Sequence, residues 1–314
     1  MKKLLALIFC AVMCFSLFTS CSPQENKEGD NGKINVVATI FPPYDFSRQI
    51  GRDRINLTLL LPPGAESHTY EPTPADMITM QEADVFIYVG GENDTWIREI
   101  LENIDTSKMK IVRLMDCVKT VDEELVEGME AEKESGGETE PDEHVWTSPV
   151  NAMKISKDIC DALCEADPGN APEYKSNLNN YLSDLEDLNL KFQEIVSGAE
   201  RKTVVFGDRF PLRYFADEYG LTYFAAFPGC SSETEPSAKT IAFLIDKVKQ
   251  EKIPVVFYIE FSNHQTADTI AQGAGVQTML FHSCHNVSKD DLNSGATYLS
   301  LMNQNAEALE AALS

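Results

Sequence analysis

Three histidines and an aspartate, His68, His144, Asp208 and His282, each follow a short strand-like apolar run in one half or the other of this chain. Together they offer three imidazoles and a carboxylate, a donor set for one divalent metal ion, with zinc foremost. The chain has five histidines, so three at equivalent points of a repeated arrangement carry weight. His68 lies in GAESHTYEPTPADM, which follows NLTLLL through a Pro-Pro-Gly turn, and Thr73, Pro74 and Asp76 supply a helix start behind it. His144 lies in DEHVWTSPVNA, with Ser148-Pro149 as a second cap and first turn. Asp208 ends TVVFGD and is equally suited to capping a helix. His282 ends QTMLFH, with Cys284 and His285 close enough to replace it or Asp208 as donors, while His264 falls in a helix-like, exposed stretch.

The elements that must position these residues come as two copies of one plan. INVVATI (34–40), NLTLLL (56–61), DVFIYVG (84–90) and KIVRL (110–114) read as four buried strands of a parallel sheet. TVVFGD (203–208), LTYFAAF (221–227), PVVFYIE (254–260) and QTMLFH (277–282) repeat the scheme. The spacing therefore predicts an α/β chain of two βα lobes, each with a four-stranded, mainly parallel sheet, residues 34–169 and 200–314. Between them, over 170–199, Tyr174, Leu178, Tyr181, Leu185, Leu188, Phe192 and Ile195 alternate by four and three residues, one face of a long amphipathic helix. Asn170 with Glu173 resembles a cap at its start, and Gly198 fits its end. Ligands of open α/β sheets bind beyond the carboxyl ends of the strands, which is where the four donors fall.

Lys2 and Lys3, an apolar run from Leu4 to Phe18 and then Thr19-Ser20-Cys21 have the order of a secretory signal over 1–20. The run is too short to span a membrane. Cys21 resembles the lipid-bearing cysteine of a bacterial lipobox, and 21–33 reads as the attachment site and a flexible tether. The formal charge of −24 becomes −26 without residues 1–21, which hold two lysines and no acids; such a surface excludes nucleic acid as a partner. Eleven acids and one lysine crowd Asp122 to Glu143, a segment expected to be a mobile, solvated insertion. With no CxxC, the cysteines do not suggest a structural zinc knuckle, and outside the cytoplasm Cys230 and Cys284 are able to pair.

GAESHTYEPTP and DEHVWTSP closely resemble the two ligand-bearing segments of the zinc and manganese solute-binding proteins of ABC importers. The acidic insertion before His144, the long central helix and EPSAKTIAFLIDKVKQEKIPVVFYIEFSN resemble the same family, so the similarity covers essentially the whole mature chain. It implies two lobes joined by a rigid helix and one metal ion in the cleft between them. It also implies a monomer, lipid-anchored at the extracellular face of the bacterial membrane, that delivers its metal to a permease and is not an enzyme. Two positions depart from the family. Where zinc members usually carry a third histidine, this chain has FGDRFPLRYF and Asp208, and where many members have an aspartate after the last strand it has His282. Three imidazoles tilt the choice to zinc, with manganese the alternative. A zinc-dependent hydrolase and a metal-stabilised surface adhesin are the competing functions.

Overall fold

Runs rich in Val, Ile and Phe form short strands; central ones such as Val85–Tyr88 are buried on both faces, as parallel sheets require, while the edge strands are partly exposed. The computed structural model describes residues 32–66, 70–129, 140–231 and 235–314; the signal segment, Cys21 and His68 lie outside them. The first sheet contains β1 (Ile34–Ala38), β2 (Ile55–Leu59), β3 (Val85–Tyr88) and β4 (Lys110–Arg113), and the second β5 (Thr203–Phe210), β6 (Thr222–Pro228), β7 (Val255–Tyr258) and β8 (Gln277–Leu280). Both are wholly parallel, in the orders β2-β1-β3-β4 and β6-β5-β7-β8. The two-sheet plan read from the apolar runs is therefore the observed one. In each sheet the connection reverses direction between the first and third strands, which opens a crevice at their carboxyl ends.

Helices α1 (Phe41–Gly51), α2 (Pro74–Gln81), α3 (Thr95–Asn103) and α4 (Pro149–Ala166) accompany the first sheet. The long α5 (Ala171–Gly198) follows, and then α6 (Arg213–Tyr219), α7 (Ala238–Gln250), α8 (Gln265–Ala274), α9 (Lys289–Asn293) and α10 (Tyr298–Leu313). Thr73 and Asp76 form a reciprocal capping box at the start of α2, and the Ser148 hydroxyl accepts from the Asn151 amide at 3.3 Å to start α4. Asn170 does not cap α5 with its side chain; it donates instead to Asp167 at 2.7 Å. Among the described residues no helix is long and apolar enough to cross a membrane.

The stripe on α5 is buried at Tyr174, Tyr181, Leu185, Leu188 and Phe192, and its polar positions bind both halves. Asn177 donates to the Ile50 carbonyl of α1 at 2.9 Å, whereas Asn189 accepts from the Tyr219 hydroxyl of α6 at 3.1 Å. The last helix crosses back as well, since the Tyr298 amide donates to Asp45 at 2.7 Å and its hydroxyl to the Trp146 carbonyl at 2.7 Å. Residues Ile34–Ser314 accordingly form one compact unit with an apolar cluster running from Val36 to Leu313.

Two expectations are corrected. The ends of the acidic segment are docked against the second half, although Asp122, Glu124 and Glu127 stay exposed. Asp122 bridges Pro141, Glu123 accepts from the Cys230 amide at 2.9 Å, Glu124 pairs with Arg213 at 3.1 Å and Glu127 with Lys247 at 3.5 Å. Basic residues of the second half give these acids partners that a local charge count cannot register; residues 130–139 lie outside the described residues. Cys230 and Cys284 do not pair: all five described cysteines are separate thiols, with Cys284 fully buried.

Candidate metal centre

His144 enters the crevice from a short turn, Val145–Thr147, that Ser148 and Pro149 convert into α4. Its ring is 1% exposed. Asp142, two residues earlier, accepts from the His144 amide at 2.8 Å and faces its ring Nδ1 at 3.1 Å through the same oxygen. A carboxylate at Nδ1 fixes the tautomer and turns Nε2 toward a metal. Burial alone would push the His144 pKa down, but the carboxylates of Asp142, Glu143 and Glu123 outweigh it and hold the imidazole above its ordinary 6.5. Gly229 packs closely beside it: a Cβ there would lie 3.0 Å from the Phe210 carbonyl oxygen and 3.1 Å from the His144 Cε1. Asp142→Asn removes the charge that orients the ring, and zinc affinity is expected to fall roughly 10–100-fold in a chelator-competition titration.

The second imidazole is His285. Its ring meets that of His144 at right angles, centroid to centroid 5.5 Å, and lies 4.9 Å from Trp146. Trp146 is itself fixed by donating its indole N–H to the Ser283 carbonyl at 2.8 Å. Two imidazoles on one tetrahedral zinc, each about 2.0–2.1 Å from it, have ring centres roughly 5 Å apart, so the observed pair fits a shared ion. The hollow beside both rings is walled by Ala65, Glu66, Arg209, Gly229 and Glu260, and leaves about 20 Å³. That is space for one water-sized body.

His68 lies outside the described residues, yet its neighbours bracket this place. Ala65 and Glu66 line the hollow, and Tyr70 lines an adjoining one that also contains His285. The loop before His68 is held by the second half: Asn286 donates to the carbonyls of Pro62 and Ala65, both at 2.9 Å, and Glu66 pairs with Arg209 at 3.1 Å.

The other two expected donors have polar atoms engaged by other partners. Asp208 sits inside β5, at the register shift between Phe206 and Arg209, and so neither ends its strand nor caps α6, whose N-cap is Leu212. Its carboxylate accepts from the Arg209 amide at 2.8 Å and the Ile259 amide at 3.3 Å. His282 is turned the other way, its amide on Asn305 at 2.7 Å and its ring Nε2 facing Gln304 at 3.3 Å on α10. Among the described residues no three His, Cys, Asp or Glu side chains gather as a metal group, so His144, Asp208 and His282 are not assembled. Sequence reasoning overlooked Asp142 and Glu260; the acid two positions before His144 was the available signal for the first. Asp208→Ala orphans two amides and is expected to cost about 1–3 kcal/mol in urea unfolding.

A family model described as zinc-uptake complex component A, periplasmic (ZnuA), matches residues 36–312. The chain belongs to this family. It is 32% identical over 315 residues to the high-affinity zinc uptake system protein ZnuA of Bacillus subtilis, covering 98% of this chain and 97% of that one. It is 32% identical over 311 residues to the zinc-binding lipoprotein AdcA of Streptococcus pneumoniae, covering 99% of this chain but 61% of that protein. The chain thus spans about three fifths of the length of the streptococcal relatives it matches. The Zn(II)-bound ZnuA-like domain of S. pneumoniae AdcA superposes with a TM-score of 0.75 at 31% identity, over 90% of this chain and 99% of that one. These relatives share the two-sheet fold that carries His144 and His285.

Proposed function

We propose that this protein is the exported solute-binding component of an ABC importer, anchored through Cys21, that captures one zinc ion and hands it to a membrane permease. The observation that carries the reading is the perpendicular His144–His285 pair, 5.5 Å apart between ring centres, at the carboxyl-end crevice of a chain in the zinc-uptake family. His68 supplies the third imidazole in this reading, from the loop whose flanks line the same hollow. Asp208 and His282 are left out of the set because their polar atoms are engaged elsewhere. An imidazole-rich site favours zinc over the hard, oxygen-seeking cations. The lobes proposed are residues 34–169 and 200–314 of a monomer, with α5 between them; hydrogen bonding across α5 and α10 supports limited relative motion.

The competing hydrolase needs room for an organic substrate beside a metal-bound water. The space of about 20 Å³ beside the two rings suits an ion, and kinship with zinc-uptake proteins favours carriage over hydrolysis. The test is a competition titration of zinc, manganese and calcium with elemental analysis of protein purified without chelators. One zinc per chain, held more tightly than the other two, is the expected result. Two tight equivalents, preference for calcium, or sustained turnover of ester, peptide or phosphate substrates would overturn the reading.

A further inference from the structure

Glu260 stands two residues past the end of β7 and its carboxylate reaches across to the loop after β8. One oxygen accepts from the Ser283 amide at 2.7 Å, the other from the Ser283 hydroxyl at 2.7 Å and the His285 amide at 3.1 Å. Between those two amides stands Cys284 with φ +60°, a left-handed conformation that a non-glycine residue adopts at a cost. That bend turns the amides of residues 283 and 285 to the same side, a concavity built to receive an anion. The anion here is the chain's own carboxylate. The strained bend is also what makes His282 and His285 diverge, the first toward α10 and the second against His144.

We infer that Glu260 is the positioning residue of the metal centre: it holds the 283–285 backbone in the bend that presents His285 to the ion bound at His144. The inference rests on the reading that His285 is a zinc donor. Glutamine at 260 offers a single carbonyl oxygen in place of two charged acceptors, so it keeps part of this hold; alanine keeps none. The carboxylate acts through His285, and its effect disappears when His285 is gone.

The experiment compares zinc affinity by chelator competition in wild type, Glu260→Gln, Glu260→Ala, His285→Ala and the double variant Glu260→Ala/His285→Ala. Apo-protein melting and X-ray absorption of the zinc-loaded forms accompany it. Glu260→Ala is expected to weaken zinc roughly 10–100-fold, in line with outer partners of metal ligands, with Glu260→Gln in between. Loaded Glu260→Ala is expected to show one imidazole fewer than wild type, and adding Glu260→Ala to His285→Ala is expected to change nothing further. Wild-type affinity in Glu260→Ala beside a weakened His285→Ala overturns the positioning role and leaves the proposed function standing. Full additivity, or an unchanged imidazole count, also overturns it. Wild-type affinity in His285→Ala instead removes the donor reading on which the inference rests. Should Glu260→Ala fail to fold, Glu260→Gln answers the same questions through its affinity and its imidazole count.

Discussion

His285→Ala is expected to lower zinc affinity by more than about a hundredfold, beyond the 10–100-fold typical of losing an outer partner, while His282→Ala leaves it within about twofold. The two histidines are three positions apart in one loop, so a charge or composition effect would act on both alike. What separates them is direction: the His285 ring stands 5.5 Å from that of His144, whereas the His282 ring faces Gln304. His285→Ala leaves the His285 amide on Glu260, so the loop itself keeps its anchor and the loss belongs to the ring. Calorimetry or chelator competition on both variants, with melting of the metal-free proteins as a control, decides the matter. Equal losses in the two variants would put the crevice geometry described above in error.

Acid is expected to strip the metal, with apparent zinc affinity falling on the order of 10⁴-fold between about pH 7 and pH 5. Each ordinary imidazole, with pKa near 6.5, contributes about 25-fold over that interval, and three act together in the proposed set. His144 sharpens the fall. Although its burial opposes a charge, Asp142, Glu143 and Glu123 hold its pKa above the ordinary value, so the proton begins to displace zinc at a higher pH than it would from a free imidazole. Removing the nearest carboxylate with Asp142→Asn therefore moves the release at His144 to lower pH even as it weakens binding at neutrality. In the metal-free protein the same raised pKa has the opposite consequence. Protonated His144 stabilises the fold below about pH 6.5, and that contribution is lost as pH rises through the folded-state pKa. Titrations at half-unit intervals test both signs; an affinity independent of pH over this range is incompatible with a histidine site.

The two sheets were legible because parallel strands buried on both faces must be continuous apolar runs, and INVVATI, DVFIYVG, TVVFGD and PVVFYIE have no other comfortable place. The stripe of α5 and the caps at Thr73 and Ser148 were legible for a similar reason, since periodicity and capping are local chemistry. His144 followed from its place between a motif and a cap. The docking of the acidic segment's ends was not legible because its partners, Arg213 and Lys247, lie far along the chain. The engagement of Asp208 was not legible because one of its two amide donors is Ile259, just past the end of β7 and far along the chain. The choice between His282 and His285 lay deeper still. Composition and spacing set which segments are buried and where a loop begins, but the direction of a loop side chain depends on the sign of one backbone torsion at Cys284 and on a carboxylate 25 residues away that makes the bend tolerable.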